Sequence, residues 1–71
     1  MRSVFATRLR ALRKKRRISA YVLSELCGLG KNQISRYERG ERQPTADALC
    51  EIADFFGVSV DWLLGMDERF R

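Results

Sequence analysis

The tightest constraint on this chain is its punctuation. Glycine stands at positions 28, 30, 40, 57 and 65, and Ser19, Thr45 and Ser59 stand just ahead of apolar runs. Glycine takes the left-handed conformation that ends helices, and Ser or Thr hydroxyls cap the free N–H groups that begin them. Together they divide the chain into five short stretches, each with apolar residues at helical spacing. The first runs from about Val4 to Lys15, with Phe5, Leu9 and Leu12 in one stripe. Ser19 caps the second, from Ala20 to about Cys27, whose apolar face is Leu23 and Cys27 with the small Ala20 and Ser24 beside them. Gly30 is the expected cap of the third, Lys31 to about Tyr37, and Gly40 closes it. Thr45 caps the fourth, which reaches Phe56 with Leu49, Ile52, Ala53 and Phe56 as its stripe, and Ser59 caps the fifth, Val60 to Leu64. No alternating run of β-branched residues survives the punctuation. The expectation is an all-α, compact five-helix bundle over residues 1–65, followed by a tail, 66–71, with no readable pattern.

With 71 residues there is room for one domain and a modest core. No apolar run is long enough to span a membrane, and no apolar signal core follows the basic start, so the expected compartment is the cytosol. Cys27 and Cys50 stand without any histidine, too few ligands for a zinc site. Both are read as free buried thiols, with a Cys27–Cys50 disulfide as the alternative; no metal or cofactor is expected. Catalysis finds no constellation either. The glycines form no phosphate-binding loop, and Glu51 and Asp54 face solvent by periodicity, so the chain reads as a binder and not an enzyme.

The charge is uneven. Residues 1–42 hold 12 of the 14 Lys and Arg but 3 of the 9 Asp and Glu. A basic half joined to an acidic half points to one face built for a polyanion. An anionic membrane would favour a basic amphipathic helix with bulky apolar anchors. Nucleic acid fits better, and the third stretch says why. At about 100° per residue, Lys31, Asn32, Ser35 and Arg36 share one side, Ile34 and Tyr37 lie opposite, and Gln33 sits at the border. The outer side is all hydrogen-bonding groups with no acid. Arg or Lys suits guanine, Asn or Gln suits adenine, and Ser suits several base edges in the major groove of duplex DNA. Gly28 would make the tight turn before this helix, and Ser24 is small enough for close helix contact.

These residues resemble the phage repressor and Cro type of helix-turn-helix domain, also called the xenobiotic-response-element family. The matching stretches are Phe5-x-x-x-Leu9-Arg10-x-Leu12-Arg13, Ile18-Ser19, Leu23-x-x-x-Cys27-Gly28, Ile34 to Gly40, Pro44-Thr45 and Gly57 to Leu64. The resemblance implies a lambda-repressor-like fold and a sequence-specific transcriptional regulator, a repressor, acting as a homodimer on a two-fold operator. It implies base contacts from Lys31, Asn32, Gln33, Ser35 and Arg36, with helix 31–37 in the major groove. Arg39, Arg42 and Gln43 match a loop that grips the DNA backbone. Arg13 and Glu38 match a structural ion pair; Arg13 also lies about 80° around its helix from Phe5, at the border of the stripe. Trp62, Leu64 and Met66 become candidates for a dimer interface. Relatives usually carry Gln where this chain has Ala20, so Ser19, Tyr21 or a backbone N–H is the expected phosphate contact there.

Three readings stay open. The run Arg13 to Arg17 serves either its own helix end or DNA. Val22 and Leu26, an apolar pair four apart, are expected to pack against Phe5 and the N-terminal residues, with a partner-protein surface as the alternative. An antitoxin or restriction controller repressing its own operon shares every feature above. So, on this fold, does a protein-interaction module. The chain starts at Met1 and stops soon after the fifth stretch, which fits a complete small regulator or the DNA-binding part of a longer one.

Overall fold

Hydroxyl caps open four of the five helices. Ser3, Ser19, Thr45 and Ser59 each accept a hydrogen bond from the backbone N–H three residues on, at 3.0–3.1 Å. The computed structural model, which describes residues 3–68, places the helices at Val4–Lys15 (α1), Ala20–Leu26 (α2), Gln33–Glu38 (α3), Ala46–Phe56 (α4) and Val60–Leu64 (α5). A 3-10 turn over Met66–Glu68 follows, and positions 69–71 of the tail lie outside the described residues. No strand occurs among the described residues. Each helix is followed by one residue at positive φ, and four of these five residues are glycines. The fifth is Arg17 (φ 56°), which ends α1 without the conformational freedom of glycine.

The stripes read from spacing converge on one core. Leu9, Leu23, Ile34, Ile52 and Leu63 are fully enclosed, one from each helix. Burying a side chain of that size contributes about 1.5–3 kcal/mol. Phe5 meets Tyr37 edge-on, with ring centroids 5.8 Å apart, and so ties α1 to α3. Gly65 is needed where it stands: a Cβ there would lie 2.8 Å from a methyl carbon of Val4, and the backbone is already left-handed.

Three expectations need correction. The third helix begins at Gln33, two residues later than its spacing suggests, and Gly30 does not cap it. Lys31 and Asn32 form the turn before it, with Asn32 at φ 66°, a conformation Asn tolerates better than most residues. Cys50 is exposed, because it lies about 200° around α4 from the enclosed Ile52. Both cysteines are free, and burial pushes the Cys27 thiol up, helped by the charge of Glu51. Finally, Val22 and Leu26 are exposed and not buried against Phe5; the expected contact with positions 1–2 lies outside the described residues. α1 lies against α3 and α5, and Val22 and Leu26 remain 44% and 58% exposed on the open flank of α2.

The basic run at the end of α1 divides by direction. Arg13 donates from Nε and Nη2 to both carboxylate oxygens of Glu38, at 2.7 and 2.9 Å, and from Nη1 to the carbonyl of Ile18 at 2.9 Å. That hydrogen bonding, with the attraction of the two charges, holds the Arg13 guanidinium above its ordinary pKa against the effect of burial. Arg16 lies over the rings of Phe55 and Phe56 and donates to the Phe56 carbonyl at the end of α4. Lys14, Lys15, Arg16 and Arg17 are all exposed, and Arg16 alone of the four is laid on aromatic rings.

Glu38 is 4% exposed, so removing its carboxylate strands a largely buried cation. Glu38→Ala is expected to lower stability by about 3–5 kcal/mol. In a domain of this size that is a fall in Tm of more than roughly 10 °C. The double variant Arg13→Met/Glu38→Leu should recover most of the loss; thermal melts of the three chains check both statements.

Candidate nucleic-acid interface

The third helix is held at its start by its neighbour. α3 has six residues and Asn32 makes no side-chain cap. The hydroxyl oxygen of Ser24, on α2, instead accepts the Ile34 N–H at 3.2 Å in the buried seam between the helices. The turn between them closes with Leu29 N–H donating to the Ser24 carbonyl at 2.8 Å around the left-handed Gly28. Ser24 was read from sequence only as a small residue; its hydroxyl does the work of the missing cap. The signal was present in the sequence as a Ser at a position where any small residue would have packed.

At the other end, Glu38 is fixed by Arg13, and Ile34 and Tyr37 are buried between these points. What remains outward is Lys31, Asn32 and Arg36, all exposed, and Gln33 and Ser35, half-buried. Within α3, Gln33 lies on the side of Tyr37 and Ser35 about 200° around from it, so the five residues lie together at the start of the helix but do not share one side. Lys31 and Asn32 sit in the turn ahead of the helix and not on its first coil. Gln33 also lines a shallow depression of about 310 Å³ with Tyr37, Arg42, Gln43 and Thr45. The loop residues and the helix therefore border one surface. Ser19 and Tyr21 are exposed at the start of α2; the Ser19 oxygen already accepts the Val22 N–H, which leaves its O–H to donate.

Two acids, at the end of α3 and in the loop after it, are paired with cations. Glu38 is turned inward to Arg13. Glu41 meets Arg39, which donates from Nε at 2.6 Å and from Nη2 at 3.2 Å, a pairing that sequence reading missed. At the far side of the bundle Arg8 donates to the carbonyl of Trp62 and to Asp67, and stacks on the Trp62 ring at 4.5 Å. Trp62 and Met66 are half-buried, while Leu64 is exposed beside Gly65, where Val4, also exposed, comes close.

A short helix seated through a tight turn on its predecessor, with a polar outer side, defines a helix-turn-helix protein. The pattern of the helix-turn-helix family matches residues 9–63, and the chain belongs to that family, in its phage repressor and Cro type. It is similar to the HTH-type transcriptional regulator AnsR of Bacillus subtilis (strain 168), with 39% identity over 62 residues, covering 87% of this chain and 53% of that one. The regulator ImmR of the same organism is 38% identical over 61 residues, covering 86% of this chain and 48% of that one. The chain thus spans about half the length of these relatives. Among solved structures, the c2 repressor of phage P22 in complex with a synthetic operator superposes with a TM-score of 0.79 at 33% identity, over 84% of this chain and 91% of that one. The restriction-modification controller protein C.AhdI of Aeromonas hydrophila does so with a TM-score of 0.76 at 28% identity, over the same shares of 84% and 91%. The fold is lambda-repressor-like.

Removing the Ser24 hydroxyl leaves the Ile34 N–H buried without a partner, which costs about 1–3 kcal/mol. Ser24→Ala is therefore expected to lower Tm and to speed hydrogen exchange at the Ile34 amide more than at amides of α4. Unchanged exchange at Ile34 would show that the hydroxyl does not hold the start of α3.

Proposed function

We propose that the chain is a sequence-specific double-stranded-DNA-binding transcriptional regulator, a repressor, bacterial or phage-encoded, that acts as a homodimer on a two-fold operator in the cytoplasm. The observation that carries this reading is the outer side of α3 and its leading turn. Lys31, Asn32 and Arg36 are exposed there with Gln33 and Ser35 half-buried, and the two acids of the segment 31–42, Glu38 and Glu41, are paired with Arg13 and Arg39. The similarity to a repressor solved in complex with its operator supports it. In this reading α3 enters the major groove and the five residues meet base edges. Ser19, Tyr21, Arg39, Arg42 and Gln43 meet phosphates, which supply affinity without sequence information. Trp62, Leu64 and Met66, joined by Val4, form the dimer contact and set the two reading helices about 34–36 Å apart. The action is binding and not catalysis, and no cofactor takes part. A controller of a restriction system, as one relative is named, or an antitoxin is a biological variant of the same mechanism.

One observation favours a second reading. Tyr21, Val22 and Leu26 are all exposed along α2, as a protein-interaction module on this fold requires. The same experiment separates the two. Selection from random duplex DNA at about physiological salt, where non-specific binding is weak, should enrich one motif as an inverted repeat. A folded sample that enriches nothing would overturn the regulator reading and favour the module.

Two substitutions distinguish reading from gripping. Arg36→Ala should cost about 1–3 kcal/mol on the selected site and relax the preference at one base pair. Arg42→Ala should weaken binding to all sequences alike and flatten the salt dependence by about one unit in log–log slope. Titrations on matched and single-mismatch duplexes at several salt concentrations give both quantities.

A further inference from the structure

The loop after α3 carries an acid where a phosphate-gripping surface would be expected to carry none. Glu41 is the residue that closes α3: its N–H donates to the Arg36 carbonyl at 2.9 Å around the left-handed Gly40. Its backbone is therefore held at the helix end. From that fixed point the carboxylate takes the Arg39 guanidinium by two parallel hydrogen bonds, at 2.6 and 3.2 Å. The hydrogen bond from Arg39 comes first in holding the Glu41 carboxyl below the usual range, and the charges of Arg39 and Arg36 add to it.

This pair is not there for the fold. The two side chains are 54% and 53% exposed, and an ion pair in that much water contributes little to stability. Its effect lies in what it does to Arg39. Two of the five N–H donors of the guanidinium are taken, and a phosphate approaching the other three comes within a few ångströms of a carboxylate. The pair carries no net charge, so a phosphate meeting it releases no counterion unless Glu41 lets go. A free Arg39 would do so, adding about 0.9 to the salt slope.

We propose that Glu41 is an affinity-limiting residue, a carboxylate built to compete with DNA phosphate for Arg39. It lowers the part of the affinity that every sequence shares. The proposal rests on the DNA-binding reading above.

The test measures binding of the wild type, Glu41→Gln, Arg39→Gln and the double variant to one random-sequence duplex across a range of salt. Thermal melts establish that all four are folded. Glu41→Gln is expected to bind more tightly, up to about tenfold at 0.1 M salt, with a slope steeper by about one unit. The double variant is expected to return to the wild-type slope, because a neutral pair has been exchanged for two neutral side chains. If Glu41→Gln binds equally or more weakly, Glu41 is a bystander or a strut for Arg39, and the proposal is overturned. A gain that survives in full slope in the double variant also overturns it, since the carboxylate would then act on something other than Arg39. A wild-type chain that binds no duplex at low salt overturns the DNA reading itself, and this inference with it.

Discussion

A helix of six residues cannot hold itself together in water, because the few hydrogen bonds it closes do not repay the cost of starting it. Everything that α3 presents therefore depends on what clamps it from outside. Arg13 and Glu38 make the strongest clamp. The carboxylate is enclosed, the guanidinium nearly so, and the third hydrogen bond of Arg13 goes to the Ile18 carbonyl at the corner leading into α2. One side chain thus fixes the end of α1, the entry to α2 and the end of α3. Such a pair repays its own desolvation only when its geometry is good and its remaining donors are used, and both conditions hold here. Ser24 at the other end of α3 and the buried Ile34 and Tyr37 between them complete the seat.

This seat explains which parts of the molecule were legible in its sequence. Stripes were legible because periodicity follows from helix geometry alone: Leu9, Leu23 and Ile52 needed no partner to be assigned, whereas Leu63, in a helix too short to show a period, was not assigned. Arg13 and Glu38 were legible through a resemblance and through the border position of Arg13. What could not be read were the features decided by neighbours. Gly30 looked like a cap because glycine is acceptable there. The choice between Gly30 and Asn32 was made by the turn, whose Gly30 carbonyl accepts the Gln33 N–H, and by a hydroxyl on a different helix. Val22 and Leu26 looked like core because they form an apolar pair. Whether α1 covers that flank is a matter of tertiary packing, and it does not. Arg17 at positive φ left no signal at all, since nothing in its side chain favours that conformation.

The same distinction applies to charge. Formal net charge is +5, and the first 42 residues hold 12 cations, yet these cations are not equivalent. Arg13 is consumed by Glu38, Arg16 lies on two aromatic rings, and Arg8 is bound to the carbonyl of Trp62 and to Asp67. Those three side chains join helices, covering apolar surface with their stems as long cationic residues do. Among the described residues, exposed cations lie around α3 and its loop and at the end of α1, where Lys14, Lys15 and Arg17 are joined by Arg16, exposed as well though laid on its two rings. Binding driven by counterion release responds to phosphates met by available cations and not to the formal total. For this chain, the salt dependence of binding is a property of the fold before it is a property of the composition. The packing that gives Arg13 to Glu38 and lays Arg16 against α4 sets those two guanidiniums apart from the other cations of the basic half.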